Sequence, residues 1–515
     1  MVHTWNGMGL LAVAGLLASC GGGSDSGGSS SPVVCAAVTT TTTTAKSAAV
    51  NLLSGTGAQA ESLRQTEGNT ASPLLPRPTL QVVARAITLG DMAQAKLAAV
   101  KPLVAQAGVP QQIGLPRDVA ATGTLASTAA LLQWQATAAG GQVAAISIQS
   151  GQAVGLRLGV LVKSLPASAT LRVYAPGAAT AYTIPAQDVL DTLARNRAAG
   201  DTSDAGRTFW APMVDGTAAT LEIELPANVS TAGVEIAIPR ISHLFSSPVS
   251  IAKAGSTAKA GFSGVSSCEV DVACSPSYAT ESNSVARMSF VSGGAAYLCT
   301  GTLVNDASGS GTPYFLGANH CISTQTAAST LQTWWFFRAS TCGGSTVDGA
   351  STTRAGGATL LYANATTDTS FMRLADTPPT GAVFAGWSVN APTLGDAAAG
   401  LHHPQGDVQA ISTGVINAFL SCSQLSASSL DFSCSTSNQA NGNFVNAQFS
   451  RGATEEGSSG SPLFETIGNG HYLVGQLYGG SSSCSNPNGT NAYGRFDVAY
   501  NAALRQWLTP TTNCR

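Results

Sequence analysis

A hydroxyl nucleophile needs a base to take its proton, a group to orient that base, and donors for the oxyanion that forms on attack. The second half of this sequence offers each part. His320 ends the apolar run YFLGANHC, Asp368 precedes an apolar strand in TTDTSFMRL, and Ser459 stands in GSSGSP, where Gly457, Gly460 and Pro462 permit a tight turn. Such a turn can aim the Gly457 and Ser459 amide N–H groups at one point. Each signal is weak alone, because Gly/Ser runs abound in this chain and a lone His or Asp is more often structural. Together, in the order His, Asp, Ser and each beside an apolar strand, they point to acyl transfer.

Other chemistries find less support. His402 and His403 in LHHPQ invite a metal reading, but no third ligand is near in sequence, and structural roles are expected for both. His471, in the turn-like GNGHY, is expected at the surface. None of the 11 cysteines forms a C-x-x-C pair or a zinc-like Cys/His cluster, so neither metal nor cofactor is expected. Only 10% of residues are charged and the net charge is −3, too little to steer the chain to nucleic acid or anionic lipid.

The elements that must position these groups read as all-β. With Gly 56, Pro 23 and abundant Ser and Thr, turn-rich sheet architecture is favoured over helical bundles, and 515 residues imply more than one domain. Residues 1–20 contain GLLAVAGLLAS, long enough for a signal-peptide core and too short to span a bilayer. The stretch ends in Leu17-Ala18-Ser19-Cys20, a pattern that resembles the lipobox of bacterial lipoproteins, although His3 is the only basic residue ahead of it. An ordinary cleaved signal is the alternative. Residues 21–70, with GGGSDSGGSSS and a run of threonines, read as a low-complexity tether.

Within 71–246, GDMAQAKLAAVKPLVAQAG suggests a helix capped by Asp91 and broken near Pro102. From about residue 140 the alternation in TLEIEL and VEIAIP predicts strands of a small β-sandwich. Residues 247–263 are small and polar and read as an exposed linker. Residues 264–515 hold nine of the cysteines and all three candidate catalytic groups. So many cysteines are readily accommodated as disulfides in an oxidising compartment.

Region 264–515 resembles the trypsin-fold serine proteases, and specifically the lysyl endopeptidase family of bacterial secreted proteases. GVSSCEVDVAC, CTGTLVN, YFLGANHC, TTDTSFMRL, HHPQGDVQAIS, GSSGSP, VGQLYGGSSSC and YGRF carry the likeness along nearly the whole region. The resemblance implies a chymotrypsin-like double β-barrel with a cleft between the barrels. It implies His320 as general base, Asp368 as its orienting anion, Ser459 as nucleophile, and the Gly457 and Ser459 amides as oxyanion hole. By position it also pairs Cys268 with Cys484, Cys274 with Cys342, and Cys299 with Cys321. Cys422 and Cys434 have no counterpart in the family and are assigned to a local hairpin bridge; Cys35 and Cys514 are left over. The N-terminal region resembles the family's long pro-segment, so a zymogen processed near 247–263 is expected.

Two departures matter. Trypsin-like zymogens switch on when a new N-terminal amine pairs with an acid just before the nucleophile, and here that position is Ser458. A Lys-directed protease needs a carboxylate in its primary pocket to pair a desolvated ammonium. The two places where such an acid is expected hold Ala453 and Asn491, leaving Glu455 and Glu456 as the nearest acids. A neutral pocket for small or medium side chains follows, with Leu477, Tyr478 and Gly479 as the strand that pairs with substrate backbone. The expectation is an exported, monomeric serine endopeptidase acting on proteins or peptides, secreted or lipid-anchored at the bacterial cell envelope. Two alternatives stay open: a Lys-specific enzyme with a differently placed acid, and a surface binding protein built on a protease-like scaffold.

Overall fold

The computed structural model describes residues 59–66, 74–78, 82–93, 96–97, 110–246, 268–424 and 432–509. The expected signal segment, Cys20, Cys35, Cys514 and the 247–263 linker lie outside the described residues. The chain is mostly β-strand with few helices. No helix among the described residues is long and apolar enough to cross a membrane.

Residues 110–246 supply most of two antiparallel-rich sheets of seven and five strands, which bury one shared core. The alternating residues of TLEIEL act as expected: Leu221, Ile223 and Leu225 point into that core from strand Ala218–Leu225. The polar side of the same strand is not solvated, however. Glu222 is buried and receives hydrogen bonds from Arg172 (2.9 Å) and Tyr174 Oη (2.8 Å), so its charge is paired and does not face water. One helix, Ala186–Ala198, interrupts a stretch read as strands, and buries Val189 and Leu193 against the same core. Asp91 does not cap a helix; it closes strand Arg85–Asp91, and most of the helix expected after it lies outside the described residues.

Residues 268–509 form the two other large sheets. In one, strand Ala295–Val304 pairs with Val285–Ser292 on one side and Tyr314–Ala318 on the other, and Tyr314–Ala318 pairs in turn with Thr369–Leu374. In the second, pairing runs in a closed circuit. Strand Gly470–Gly480 bonds to Pro462–Ile467, then Ala397–His402, Ala410–Gln424, Phe444–Arg451 and Asn491–Arg495, which bonds back to Gly470–Gly480. A closed ring leaves no free edge within it, so register errors cannot propagate. A helical tail over 496–508 packs Phe496, Tyr500, Leu504 and Leu508 against this half, absorbing the amphipathic stretch seen near the C-terminus.

Segments ahead of residue 120 also pair with C-terminal strands. Gln59–Ala60 joins the second sheet at Trp387–Ser388 and Gln111–Gln112 joins the first at Tyr297–Leu298, while Leu63–Arg64 forms a separate two-stranded sheet with Val383–Phe384. Residues 59–66, assigned with the rest of 21–70 to a low-complexity tether, therefore include paired strands. Backbone pairing at a sheet edge needs no apolar period, so the sequence carried no warning of it.

Candidate active site

His320 sits just beyond strand Tyr314–Ala318, where Cys321 and Ile322 N–H groups both return to Ala318 O at 3.1 Å and turn the chain. The Cys299–Cys321 disulfide ties that turn to strand Ala295–Val304. Asp368 precedes the neighbouring strand Thr369–Leu374 and holds the left-handed backbone conformation at φ 50°, which Asp tolerates better than most residues. Its carboxylate receives the His320 backbone N–H at 2.9 Å, and its other oxygen lies 2.7 Å from His320 Nδ1. Both side chains are almost fully buried. Burial pushes the Asp368 carboxyl above its ordinary range, while His320 and the donated N–H groups pull it down. Gln476, which sequence reasoning missed, donates to Thr367 O (2.6 Å) and Thr369 Oγ1 (3.0 Å) and so fixes both flanks of Asp368 from the second sheet.

The turn 455–461 holds Ser459. Gly457 and Gly460 have φ of 84° and 81°, conformations that favour glycine. Neither could carry a side chain: a Cβ at 457 would lie 3.0 Å from Gly406 N and His403 O, and one at 460 would lie 2.5 Å from Thr300 O. Thr300 N–H donates to Ser459 O (2.9 Å) and its hydroxyl donates to Gly457 O (2.9 Å), while Gly460 N–H donates to Leu477 O (2.8 Å). The Gly457 and Ser459 N–H groups donate to no acceptor among the described residues. Cys321 Sγ links the two halves of the site, lying 3.7 Å from His320 Nε2 and 3.9 Å from Ser459 O.

Beside Ser459 opens a cavity of about 270 Å³, lined by Thr454, Glu455, Glu456, Leu477, Gly479 and the serines 481–483. Of the residues assigned to substrate binding, Leu477 and Gly479 line it and Ala453 does not. Tyr478 does not line it; its ring lies between Phe432, on which it stacks with centroids 4.0 Å apart, and His320, whose ring centroid is 5.7 Å away. Asn491 stands behind Thr454, fully buried. Glu455 is committed, accepting Cys484 N–H at 3.1 Å and a bond from Gln405 Nε2. Glu456 has no basic partner among the described residues, and burial raises its carboxyl pKa.

Among the described residues four disulfides are present: Cys268–Cys484, Cys274–Cys342, Cys299–Cys321 and Cys422–Cys434. The last joins paired strands Ala410–Gln424 and Phe432–Ser437 at directly opposed positions, a local hairpin bridge. His402 and His403 are buried, and burial lowers both imidazoles to about 3, so each is a neutral structural group. His471 is not a free surface residue. It stacks on Tyr278 (centroids 4.1 Å) and lies 3.2 Å from Glu281, because its turn folds over the helix Ala279–Ser282.

Comparison with known proteins matches residues 262–494 to the family model for the lysyl endopeptidase C-terminal domain, and residues 88–245 to the model for the lysyl endopeptidase N-terminal domain. A lysyl endopeptidase of Pseudomonas aeruginosa is 30% identical over 439 residues, covering 82% of this chain and 87% of that protein. Among solved structures, the MamO protease domain of Magnetospirillum magneticum is 13% identical, with TM-score 0.30, over 44% of this chain and 98% of that one. The active form of the Rv3671c protease of M. tuberculosis is 13% identical, with TM-score 0.31, over 44% and 83%.

Proposed function

This chain belongs to the lysyl endopeptidase family and is a serine endopeptidase, and from that premise we propose that it cleaves peptide bonds through Ser459, His320 and Asp368. His320 takes the Ser459 proton as Oγ attacks the scissile carbonyl, then passes it to the leaving amine. Asp368, at 2.7 Å from Nδ1, holds the ring with Nε2 free for that transfer and stabilises the imidazolium. The Gly457 and Ser459 N–H groups receive the oxyanion, and water then hydrolyses the acyl-enzyme. The observation that carries this reading is the buried His320–Asp368 pair, linked through Cys321 Sγ to a glycine-rich turn whose Gly457 and Ser459 amides donate to no acceptor among the described residues. We read the two C-terminal sheets as a double β-barrel of the chymotrypsin kind with the cleft between them.

The primary pocket is proposed to have a neutral base. Thr454 forms it, backed by Asn491, so a P1 side chain meets hydroxyls at depth and no carboxylate. A second reading is favoured by one observation: Glu456 lines the same cavity without a basic partner among the described residues. A P1 Lys could then be paired from the wall of the pocket.

Residues 71–246 are proposed as a pro-region with a β-sandwich, removed by cleavage near 247–263. Supporting this, Gln111–Gln112 adds to the strand edge at Tyr297–Leu298, directly before Cys299. Gln111 Oε1 would lie only 3.3 Å from a Cβ at Gly457. A segment so close to the oxyanion turn competes with substrate for the cleft. Export, with lipid on Cys20, completes the proposal. An active-site-directed fluorophosphonate tests the core of it: wild type is expected to label and Ser459→Ala is not, and labelling that survives the substitution overturns the assignment.

A further inference from the structure

The sequence poses a question that the triad leaves unanswered. If Ser458 stands where other trypsin-like enzymes use an acid to lock the nucleophile turn, something else must lock it here. Ser458 is fully buried, and its Oγ lies 2.8 Å from His402 Nδ1. On the far side of the ring, His402 Nε2 lies 3.0 Å from Ser412 Oγ. Ser412 Oγ is in turn 3.1 Å from Ala453 O, and Glu455 N–H reaches Ser458 Oγ at 3.3 Å. All three side chains are at 0% exposure, so no solvent completes the set.

Counting protons fixes every direction in this chain. Ser412 has one hydroxyl proton, and Ala453 O can only accept, so Ser412 donates there and must accept from His402 Nε2–H. A neutral ring protonated on Nε2 has a bare Nδ1, which accepts the Ser458 hydroxyl proton. Ser458 Oγ then accepts the Glu455 N–H. The opposite tautomer would leave Ala453 O without this donor and the Ser458 proton without an acceptor among the described residues, both in the dry interior. Burial, which lowers the imidazole to about 3, keeps the ring in the neutral form this pattern requires.

We propose that His402, held as its neutral Nε2–H tautomer between Ser412 and Ser458, is a positioning residue that locks the nucleophile turn in its working shape without any N-terminal amine. The relay grips the backbone at Ala453 and Glu455 and the side chain of Ser458, so it spans the residues leading into Gly457 and Ser459. It starts from strand Ala397–His402 and ends on strand Ala410–Gln424, two members of the closed circuit, which makes the anchor as rigid as the sheet itself. Activation then needs removal of the covering N-terminal segment and no rearrangement of the oxyanion turn. This rests on Ser459 being the nucleophile.

Two measurements on the full chain test it. Long-range 15N–1H correlation spectra of protein labelled at its six histidines should show His402 neutral and protonated on Nε2. The Nδ1–H form, or an imidazolium at neutral pH, overturns the proposal whatever the variants do. After processing, Ser458→Ala should lower kcat about 10- to 100-fold with KM changed less than about 3-fold, since misplaced oxyanion donors weaken the transition state and not the bound substrate. Ser412→Ala, one step farther away, should lower kcat less and release the tautomer preference. Wild-type kcat in Ser458→Ala overturns the inference alone. A wild type without Ser459-dependent turnover overturns the nucleophile assignment and this inference with it.

Discussion

Thr454 Oγ1, in the lining of the cavity beside Ser459, donates to Asn491 Oδ1 across 2.6 Å. The amide of Asn491 can point only one way. Its Nδ2 donates to Ala447 O (3.0 Å) and Gly489 O (3.4 Å), and a flipped amide would set oxygen against two carbonyl oxygens. Every polar atom of the Asn491 side chain is therefore spent, which supports the neutral base proposed for the primary pocket.

That arrangement predicts what Asn491→Asp does. A carboxylate there would face Ala447 O, so in the empty pocket the acid keeps a proton and donates it to that carbonyl, preserving the bond. A P1 ammonium would favour losing that proton. Cleavage after Lys is expected to rise roughly 10-fold relative to wild type at alkaline pH and little at pH 5, while cleavage after neutral residues falls. Profiling P1 on a peptide library checks this. A wild type that already prefers Lys, with Asn491→Asp changing nothing and Glu456→Gln abolishing the preference, would favour the wall acid instead.

The groups proposed as catalytic were legible as candidates in the sequence because such chemistry leaves local marks. Gly457 and Gly460 hold positive φ that favours glycine, a Cβ at 460 would sit only 2.5 Å from Thr300 O, and His320 is followed by the cysteine that clamps its turn. What surrounds them was not legible. Gln476, Thr300, Gln405 and Ser412 act through partners tens of residues away, and nothing in their neighbours' composition marks them. His402 was visible only as half of an ambiguous pair, since a metal ligand and a buried neutral imidazole look the same in one dimension. The strands at 59–66 escaped for a different reason: they pair through backbone at sheet edges, and periodicity reports side-chain burial alone.

Ile113 offers a handle on the covering segment. It is fully buried in a cluster shared by both halves of the chain, with Met213 and Leu244 from one and Leu298, Trp334 and Phe337 from the other. Its N–H donates to Ala296 O at 2.8 Å, extending the pairing begun by Gln111–Gln112. Ile113→Ala leaves a cavity worth about 3 kcal/mol at this junction. The unprocessed variant is expected to gain about 10-fold in hydrolysis of a small chromogenic peptide over unprocessed wild type, by initial rates before any cleavage of the chain. Unchanged activity would sink the view that this segment blocks the cleft.

Glu269 couples the stability of the cavity wall to pH. It follows Cys268, and its Oε1 lies 4.0 Å from Sγ of Cys484, the partner in that disulfide. Among the described residues its Oε2 has no hydrogen-bond partner and no cation offsets its burial, which raises its pKa to about 9 with help from Glu455 and Asp407. At neutral pH the folded protein therefore carries a proton here that the unfolded chain has released. The contribution is fully present below the ordinary Glu pKa of about 4.5 and is lost as pH climbs towards about 9, because the unfolded state then binds fewer protons than the folded one. Glu269→Gln keeps the shape and removes the titration. Its unfolding free energy should match wild type near pH 4 and exceed it at pH 8 by on the order of a few kcal/mol, read as a higher thermal midpoint at pH 8 alone. Parallel melting curves across that range would count against a protonated Glu269.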